Sequence, residues 1–154
     1  MKNMNFKKVL TIVFYFFAVT IYAQNRSLPQ DYLTKEFHKN RREALRNKLP
    51  NNSVAVFFAN AVRNRANDVE YVYHQDPNFY YLTGYKEPHA LLLIFKDDQK
   101  VGNTVINEVL FVQEKNEIAE MWTGKRLGIE GAQDDLGFRI VFNGKEFKSY
   151  DINF

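Results

Sequence analysis

Residues 90–95, with the sequence Ala-Leu-Leu-Leu-Ile-Phe, limit the folds open to this chain more than any other segment. A short, unbroken apolar run of this kind is typical of a strand buried within a sheet. Residues 53–59 and 105–112 are also apolar or rich in β-branched side chains, and each predicts a further strand. The centre of the fold is therefore expected to be a β-sheet.

Helical patterns lie on both sides of these strands. Residues 35–48 carry apolar side chains at helical spacing, and Leu49-Pro50 ends the pattern. We interpret the basic residues of this helix as a solvated face rather than a phosphate-binding patch, because acids interrupt them. These basic residues include Arg41, Arg42 and Arg46.

The remaining segments complete the predicted architecture. Residues 129–136 predict a short helix that Gly137 stops, and 139–142 predict another strand. We expect residues 60–78 to form a long loop or irregular arm, 97–100 a turn, and the segment from Gln113 a loop that carries Trp122. Strands that alternate with helices predict an α/β domain, with a mixed β-sheet flanked by helices.

The first 23 residues are expected to be a secretory signal peptide. They contain three lysines and no acid, then an apolar run over 9–19, and Ala23 provides a small residue for cleavage. The alternatives are an uncleaved anchor and a first core helix. A membrane-spanning helix needs about 20 apolar residues, so no stable span is expected after cleavage. The mature chain would be 24–154, exported to a bacterial periplasm or beyond.

Removal of this leader changes the charge balance. The whole chain has 21 basic and 18 acidic residues, and the loss of three lysines leaves 18 of each. Nucleic-acid binding depends on a surplus of Lys and Arg gathered on one face. A neutral mature chain therefore argues against a nucleic-acid partner.

Few residues in the chain offer catalytic chemistry. The absence of cysteine excludes disulfide scaffolds, thiol nucleophiles and cysteine-based metal sites. The three histidines, His38, His74 and His89, show no spacing that would place two of them on one metal ion. From residue chemistry alone, the chain is expected to be an exported α/β domain without catalytic residues or a metal site of its own.

Four blocks of sequence resemble the N-terminal domain of the aminopeptidase P and prolidase group, which has a creatinase-like fold. They occur in the same order as in that family, and the resemblance extends from about Thr34 to about Gly137. The blocks are 67–71 (Asn-Asp-Val-Glu-Tyr), 74–88 (His-Gln-Asp-Pro-Asn-Phe-Tyr-Tyr-Leu-Thr-Gly-Tyr-Lys-Glu-Pro), 90–94 (Ala-Leu-Leu-Leu-Ile) and 120–128 (Glu-Met-Trp-Thr-Gly-Lys-Arg-Leu-Gly).

The resemblance implies a parent enzyme, an Xaa-Pro aminopeptidase that releases an N-terminal residue when proline is second. In that family, a C-terminal pita-bread domain holds two divalent metals, usually manganese, which activate a water molecule and polarise the scissile carbonyl. This chain contains none of that domain. We therefore expect a fragment that ends before its own domain is complete, binds no metal and is inactive alone.

The resemblance also implies site residues. In the family, the N-terminal domain drives homo-oligomer assembly and lends side chains to the active site of a neighbouring subunit. Asp68 and Trp122 match the two bordering positions, and Arg126 is a weaker candidate that could instead pair with Glu70 or Glu120. Without the resemblance, Asp68 would be taken for an exposed loop acid and Trp122 for a core or interface residue.

Two other functions remain open at this stage. The chain could be a free-standing exported module that binds a peptide or a protein partner without catalysis. The parent could also be a pita-bread relative with another substrate, such as a dipeptidase.

Overall fold

The computed structural model describes residues 33–151, so the predicted signal peptide lies outside the described residues. In chain order, the elements are α1 (Lys35–Lys48), β1 (Val54–Phe58), β2 (Asn64–Ala66), β3 (Val69–Glu70), α2 (Pro77–Thr83), β4 (Leu91–Val101), β5 (Thr104–Val112), α3 (Glu117–Thr123), α4 (Gly128–Leu136), β6 (Val141–Asn143) and a 3₁₀ helix (Gly144–Ser149).

The main sheet has four strands in the order β1-β4-β5-β6. β4 pairs antiparallel with both β1 and β5, whereas β6 pairs parallel to β5. The predicted mixed sheet with flanking helices is therefore confirmed. The three apolar runs of the sequence provide β1, the first half of β4, and β5.

Both faces of this sheet are buried, which explains why the apolar run in β4 does not alternate with polar residues. Leu92 and Ile94 belong to one core cluster, together with residues of α2 and α4. Leu91, Leu93 and Phe95 belong to a second cluster on the opposite face. Phe142, Phe147 and Tyr150 pack against Phe111 in that second cluster.

The predicted helix over residues 35–48 is confirmed as α1. The Thr34 hydroxyl accepts a hydrogen bond from the Phe37 amide at 3.2 Å and so caps its first turn. The prediction of a wholly solvated basic face was wrong at Arg42, whose side chain is buried. Glu108 on β5 draws Arg42 inward by forming an ion pair with it.

The turn predicted for residues 97–100 was also wrong. These residues continue β4, which pairs with β5 as far as Val101 and Thr104 after an irregularity between Ile94 and Gln99. The turn lies just beyond, where Gly102 has a φ of 58°. The two strands extend here as a largely exposed ribbon, so polar residues typical of turns occupy strand positions.

Two further segments are more regular than the sequence indicated. The predicted arm over residues 60–78 contains the hairpin β2–β3, and the loop expected around Trp122 is the helix α3. The predicted helix before Gly137 is confirmed as α4, and Gly137 ends it with a φ of 73°. No helix within residues 33–151 has the length and apolarity needed to cross a membrane.

Candidate functional site

Helix α3 presents its apolar side chains to solvent. Trp122 is 86% exposed, Met121 is 74% exposed and Ile118 is 70% exposed, and no residue of the helix is buried. The helix is held at its start, where the Asn116 side chain accepts a hydrogen bond from the Ala119 amide at 2.9 Å. Helix formation here rests on capping rather than on packing, and Trp122 is left available for contact with another molecule.

Asp68 lies at the tip of the exposed arm. The residues between β2 and β3 are Asn67 and Asp68, and Asn67 adopts a left-handed backbone with a φ of 53°. The Asn64 side chain donates a hydrogen bond to the Asn67 carbonyl at 2.7 Å, which fixes the turn. Asp68 itself is exposed.

The base of the arm is firmly attached to the domain. The Tyr73 hydroxyl shares its one proton between the carbonyls of Asn60, at 3.2 Å, and of Glu87, at 3.4 Å. Burial, together with the nearby charge of Asp76, raises the pKa of Tyr73 to about 12. Gln75 adds a bond of 2.9 Å to the Glu87 carbonyl. The raised pKa keeps the phenol protonated, and so able to donate, further into alkaline pH than for an ordinary tyrosine.

A cavity of about 530 Å³ lies between this arm and the end of α3. Glu70, Tyr71 and Tyr73 line it from the arm, and Trp122 and Arg126 line it from the other side. The structure thus brings two of the three predicted site residues together. Asp68 is not among the residues that line this cavity.

Arg126 is oriented by neighbours other than those weighed from the sequence. Its Nη1 donates to the Glu114 carbonyl at 3.3 Å, and its Nη2 donates to the Thr123 hydroxyl at 3.5 Å. No ion pair within residues 33–151 joins it to Glu70 or Glu120. Its guanidinium lines the cavity, and its charge contributes to the lowered pKa of Glu114.

Glu87 connects the two walls of the cavity. One of its carboxylate oxygens accepts a hydrogen bond from the Tyr85 hydroxyl at 2.8 Å, and the other accepts from the Leu127 amide at 2.6 Å. Burial, and then the charge and hydrogen bond of Glu87, raise the pKa of Tyr85 well above its usual value. The loop after Arg126 is thereby held against the segment that leads into β4.

Sequence reasoning missed Glu87 and Tyr73 as residues that shape this site. Neither residue lies in a periodic pattern. Apart from Tyr85, the hydrogen-bond partners cited above for these residues are 13 to 40 positions away in the sequence. A signal was available for Glu87, which lies within the block 74–88 that carries the family resemblance, whereas Tyr73 lies just before that block.

The groups that line the cavity are suited to binding. Trp122 offers a flat apolar wall, and Arg126 and Lys125 can attract a carboxylate or a carbonyl oxygen. Within the described residues, no group of three or more histidine, aspartate or glutamate side chains is placed to hold a metal ion. This region can therefore contact a peptide, but it does not present the ligands of a metal centre.

Comparison with known protein families agrees with the fold. The family model described as the N-terminal domain of aminopeptidase P matches residues 38–151. The Xaa-Pro aminopeptidase of Haemophilus influenzae is 34% identical over 115 residues, which are 75% of this chain and 26% of that protein. The Xaa-Pro aminopeptidase of Escherichia coli is 36% identical over 105 residues, 68% of this chain and 23% of that protein.

Solved structures show the same likeness. Aminopeptidase P from Escherichia coli with the inhibitor Pro-Leu superposes with a TM-score of 0.69 and 32% identity, over 77% of this chain and 26% of that one. Proline aminopeptidase P II from Yersinia pestis gives a TM-score of 0.67 and 36% identity, over 76% and 26%. This chain spans about a quarter of the length of such relatives. It belongs to the family of aminopeptidase P N-terminal domains.

Proposed function

We propose that this chain is part of an exported, metal-dependent Xaa-Pro aminopeptidase that releases an N-terminal residue preceding proline. The names of its relatives support the reaction, since the matched proteins of Haemophilus influenzae and Escherichia coli are both Xaa-Pro aminopeptidases. The basic and apolar leader over residues 1–23 supports export. The substrates would be peptides with proline in the second position.

Within that enzyme, the domain has two roles. It mediates assembly of a homo-oligomer, and it lends Asp68, Trp122 and Arg126 to the border of a neighbouring subunit's active site. The observation that carries this proposal is the position of Trp122, which is 86% exposed and lines a cavity together with Arg126. An indole left in solvent in this way is well suited to pack on a proline ring.

The two divalent metals, manganese in our proposal, would be bound outside this chain. The described residues do not fit such a centre, because they include no cluster of three or more metal-ligating side chains. The contribution of this domain is therefore substrate contact and orientation. Catalysis would be supplied by residues beyond those present here.

A chimera tests the substrate role directly. Residues 38–151 would replace the matching segment of the Escherichia coli relative, and hydrolysis of an Xaa-Pro tripeptide would be measured with manganese present. In this chimera, Trp122→Ala should raise KM or lower kcat while the metal content stays constant. Met121→Ala is the matched control, because Met121 is similarly exposed on the same helix and does not line the cavity.

Two results would contradict the proposal. One is a Trp122→Ala chimera as active as the unmodified chimera. The other is loss of bound metal on that substitution, which would indicate a structural effect rather than a contact with substrate. The chain alone, given manganese and the same tripeptide, should show no turnover, and any metal-dependent turnover would place catalysis within it.

The alternative of a free-standing binding module is supported by the cavity itself, which has aromatic and cationic walls. Trp122 is the only tryptophan in the chain, so its fluorescence reports on the cavity without interference. The chain is titrated with a proline-containing peptide. A saturable change in Trp122 fluorescence, with no hydrolysis of the peptide, would favour a free-standing binding module.

Export has its own test. The protein secreted or released to the periplasm should begin at Gln24 when its N-terminus is sequenced. An intact N-terminus would contradict cleavage of the leader after Ala23.

A further inference from the structure

The cavity that contains Trp122 has more cationic than anionic side chains in its lining. Its charged residues are Lys86, Lys125 and Arg126 against Glu70 and Glu87, which gives a net charge of +1 with histidine counted as neutral. Its volume of about 530 Å³ lies within the range of about 300–1,000 Å³ that is usual for ligand sites. The charges of the lining therefore favour an anionic group over a cationic one.

A second cavity, of about 660 Å³, also borders the arm. It shares Glu70 and two tyrosines with the first cavity, and it adds Arg63 and Arg65 but no further carboxylate. Neither arginine forms an ion pair within the described residues. The two cavities together are lined by five Lys and Arg residues and two carboxylates, whereas residues 24–154 carry equal numbers of basic and acidic residues. Positive charge is thus concentrated around the arm.

Neutral acceptors orient Arg126 within this lining. Its side chain donates to the Glu114 carbonyl at 3.3 Å and to the Thr123 hydroxyl at 3.5 Å. These contacts use two of the five N–H donors of a guanidinium. A neutral acceptor fixes the direction of the group, but it does not compensate the charge as a carboxylate does. Arg126 therefore has donors left to offer a ligand.

The carboxylates near Arg126 are engaged by other groups. One oxygen of Glu114 accepts a hydrogen bond from Lys145 and forms an ion pair with it, and the other accepts from the Asn143 amide at 2.7 Å. These two hydrogen bonds are the main reasons for the lowered pKa of Glu114, and the charge of Arg126 has a smaller effect. Both oxygens of Glu87 also accept hydrogen bonds from other residues. Neither carboxylate hydrogen-bonds to Arg126.

A peptide carries opposite charges at its two ends, and a cationic lining distinguishes them. The lining repels the N-terminal ammonium and attracts a carboxylate. In the proposed reaction, the residue released from the substrate carries that ammonium and precedes proline. Trp122 and Arg126 line one cavity, so a proline ring packed on the indole places the residues that follow proline within the same cavity as the guanidinium.

We propose that Arg126 binds a carboxylate on the C-terminal side of the substrate's proline, with Lys125 and the two arginines of the arm adding to the attraction. This inference rests on the proposed function, and it narrows the substrates to peptides with an anionic group at that place. The group is either the C-terminal carboxylate of a short peptide or an acidic side chain. A guanidinium suits this task because it bonds a carboxylate through two parallel hydrogen bonds.

Matched peptides test this preference in the chimera with the Escherichia coli relative. Ala-Pro-Ala with a free C-terminus is compared with its C-terminal amide, and Ala-Pro-Asp amide provides a side-chain carboxylate instead. We expect kcat/KM to be about tenfold larger for the free acid than for the amide. A similar gain with the Asp peptide would show that acidic side chains are bound as well. The gain should shrink as salt is raised from about 0.05 to about 0.5 M, because ions screen the attraction.

Substitution of Arg126 assigns the preference to this side chain. Arg126→Gln should abolish the difference in kcat/KM between the anionic peptides and the amide, and Arg126→Lys should keep part of it because the charge remains. Arg139→Gln is the matched control, since Arg139 is exposed and does not line the cavity. Circular dichroism and metal analysis show whether each chimera is folded and loaded.

Equal values of kcat/KM for all three peptides in the unmodified chimera would overturn the proposal, and this comparison needs no variant. A preference that survives in the Arg126→Gln chimera would overturn it as well. Either result leaves the proposed function standing if Trp122→Ala still impairs hydrolysis of the free acid and of the amide alike. A Trp122→Ala chimera of full activity would instead contradict the proposed function, whatever the preference among peptides.

Discussion

Arg42, whose side chain is buried, and Glu108, whose side chain is 18% exposed, form an ion pair with two hydrogen bonds that joins α1 to β5. Arg42 Nε lies 2.7 Å from one carboxylate oxygen of Glu108, and Nη2 lies 2.9 Å from the other. Arg42 Nη1 also donates to the Leu82 carbonyl at 2.8 Å, and the guanidinium stacks 4.0 Å from the centre of the Phe138 ring. One side chain thus connects the first helix, the end of α2, the sheet and the segment after α4.

Removal of one member of this pair should be costly. Glu108→Gln leaves the buried guanidinium without its counter-charge, and we expect the free energy of unfolding to fall by about 3–5 kcal/mol. The double variant Arg42→Met/Glu108→Leu should lose less, because it removes both charges. Urea unfolding measures each value.

The exposed pair Lys39–Glu43 is the control for this prediction. Its atoms are 3.9 Å apart, and its side chains are 60% and 49% exposed. Lys39→Met should therefore change the free energy of unfolding by no more than about 0.5 kcal/mol. A loss as large as that of Glu108→Gln would contradict the role of burial.

Stability should decrease in mild acid because of His38. Burial of this imidazole lowers its pKa, against the opposing effect of its hydrogen bond to the Tyr81 carbonyl. Between this lowered value and the unfolded value of about 6.5, the unfolded chain binds more protons than the folded chain. The free energy of unfolding should therefore fall as pH drops below about 6.5 and stay level above it.

Denaturant titrations between about pH 4.5 and 8.5, which is about two units either side of that pKa, measure this dependence. His38→Gln keeps a donor for the Tyr81 carbonyl and should flatten the curve in this window. If the free energy of unfolding of His38→Gln depends on pH as steeply as that of the original chain, the pH dependence comes from other groups.

Gly84→Ala should destabilise the protein more than Gly102→Ala. Both glycines have a left-handed backbone, with φ of 73° and 58°, so each substitution carries a strain of about 1–2 kcal/mol. A Cβ at Gly84 would also lie 2.9 Å from the His38 ring, whereas a Cβ at Gly102 meets no atom within 4 Å. Overpacking should add about 1–3 kcal/mol at Gly84.

Thermal unfolding of both glycine variants under one set of conditions tests this difference. Equal shifts in Tm would show that the His38 ring moves aside without cost.

Trp122→Ala should leave the free energy of unfolding within about 0.5 kcal/mol of the original. The side chain is 86% exposed, so little apolar area is lost from the folded state. Phe79→Ala is the comparison, because Phe79 is 0% exposed and its removal should cost about 3–5 kcal/mol. Guanidinium unfolding followed by circular dichroism measures both. Marked destabilisation by Trp122→Ala would assign the indole to the fold.

The sequence predicts those parts of the fold that depend on local pattern. The run over residues 90–95 identifies β4, and the stop at Gly137 identifies the end of α4. Arg42 could not be placed from its helix alone, because its burial depends on Glu108, 66 positions away. Helix α3 was not predicted from the sequence. It buries none of its residues, so its apolar residues do not recur at the spacing that identifies an amphipathic helix.

The candidate site was predictable only in part. Trp122 and Arg126 were identified through family resemblance, and their shared cavity depends on the arm reaching across to α3. That approach is produced by Tyr73, Gln75 and Glu87, which bond to distant backbone groups. The spacing of residues within a single helix or strand does not predict hydrogen bonds to distant parts of the chain. The roles of Asp68, Trp122 and Arg126 in substrate contact remain a proposal.

Helix α3 contributes no residue to either core cluster. Mutation can therefore alter its outward-facing side chains without disturbing the sheet beneath them. During evolution, the side chains of α3 that border the cavity can therefore be substituted without loss of fold stability. Under the proposed function, selection on Trp122 comes from its contact with the ligand rather than from the stability of the fold.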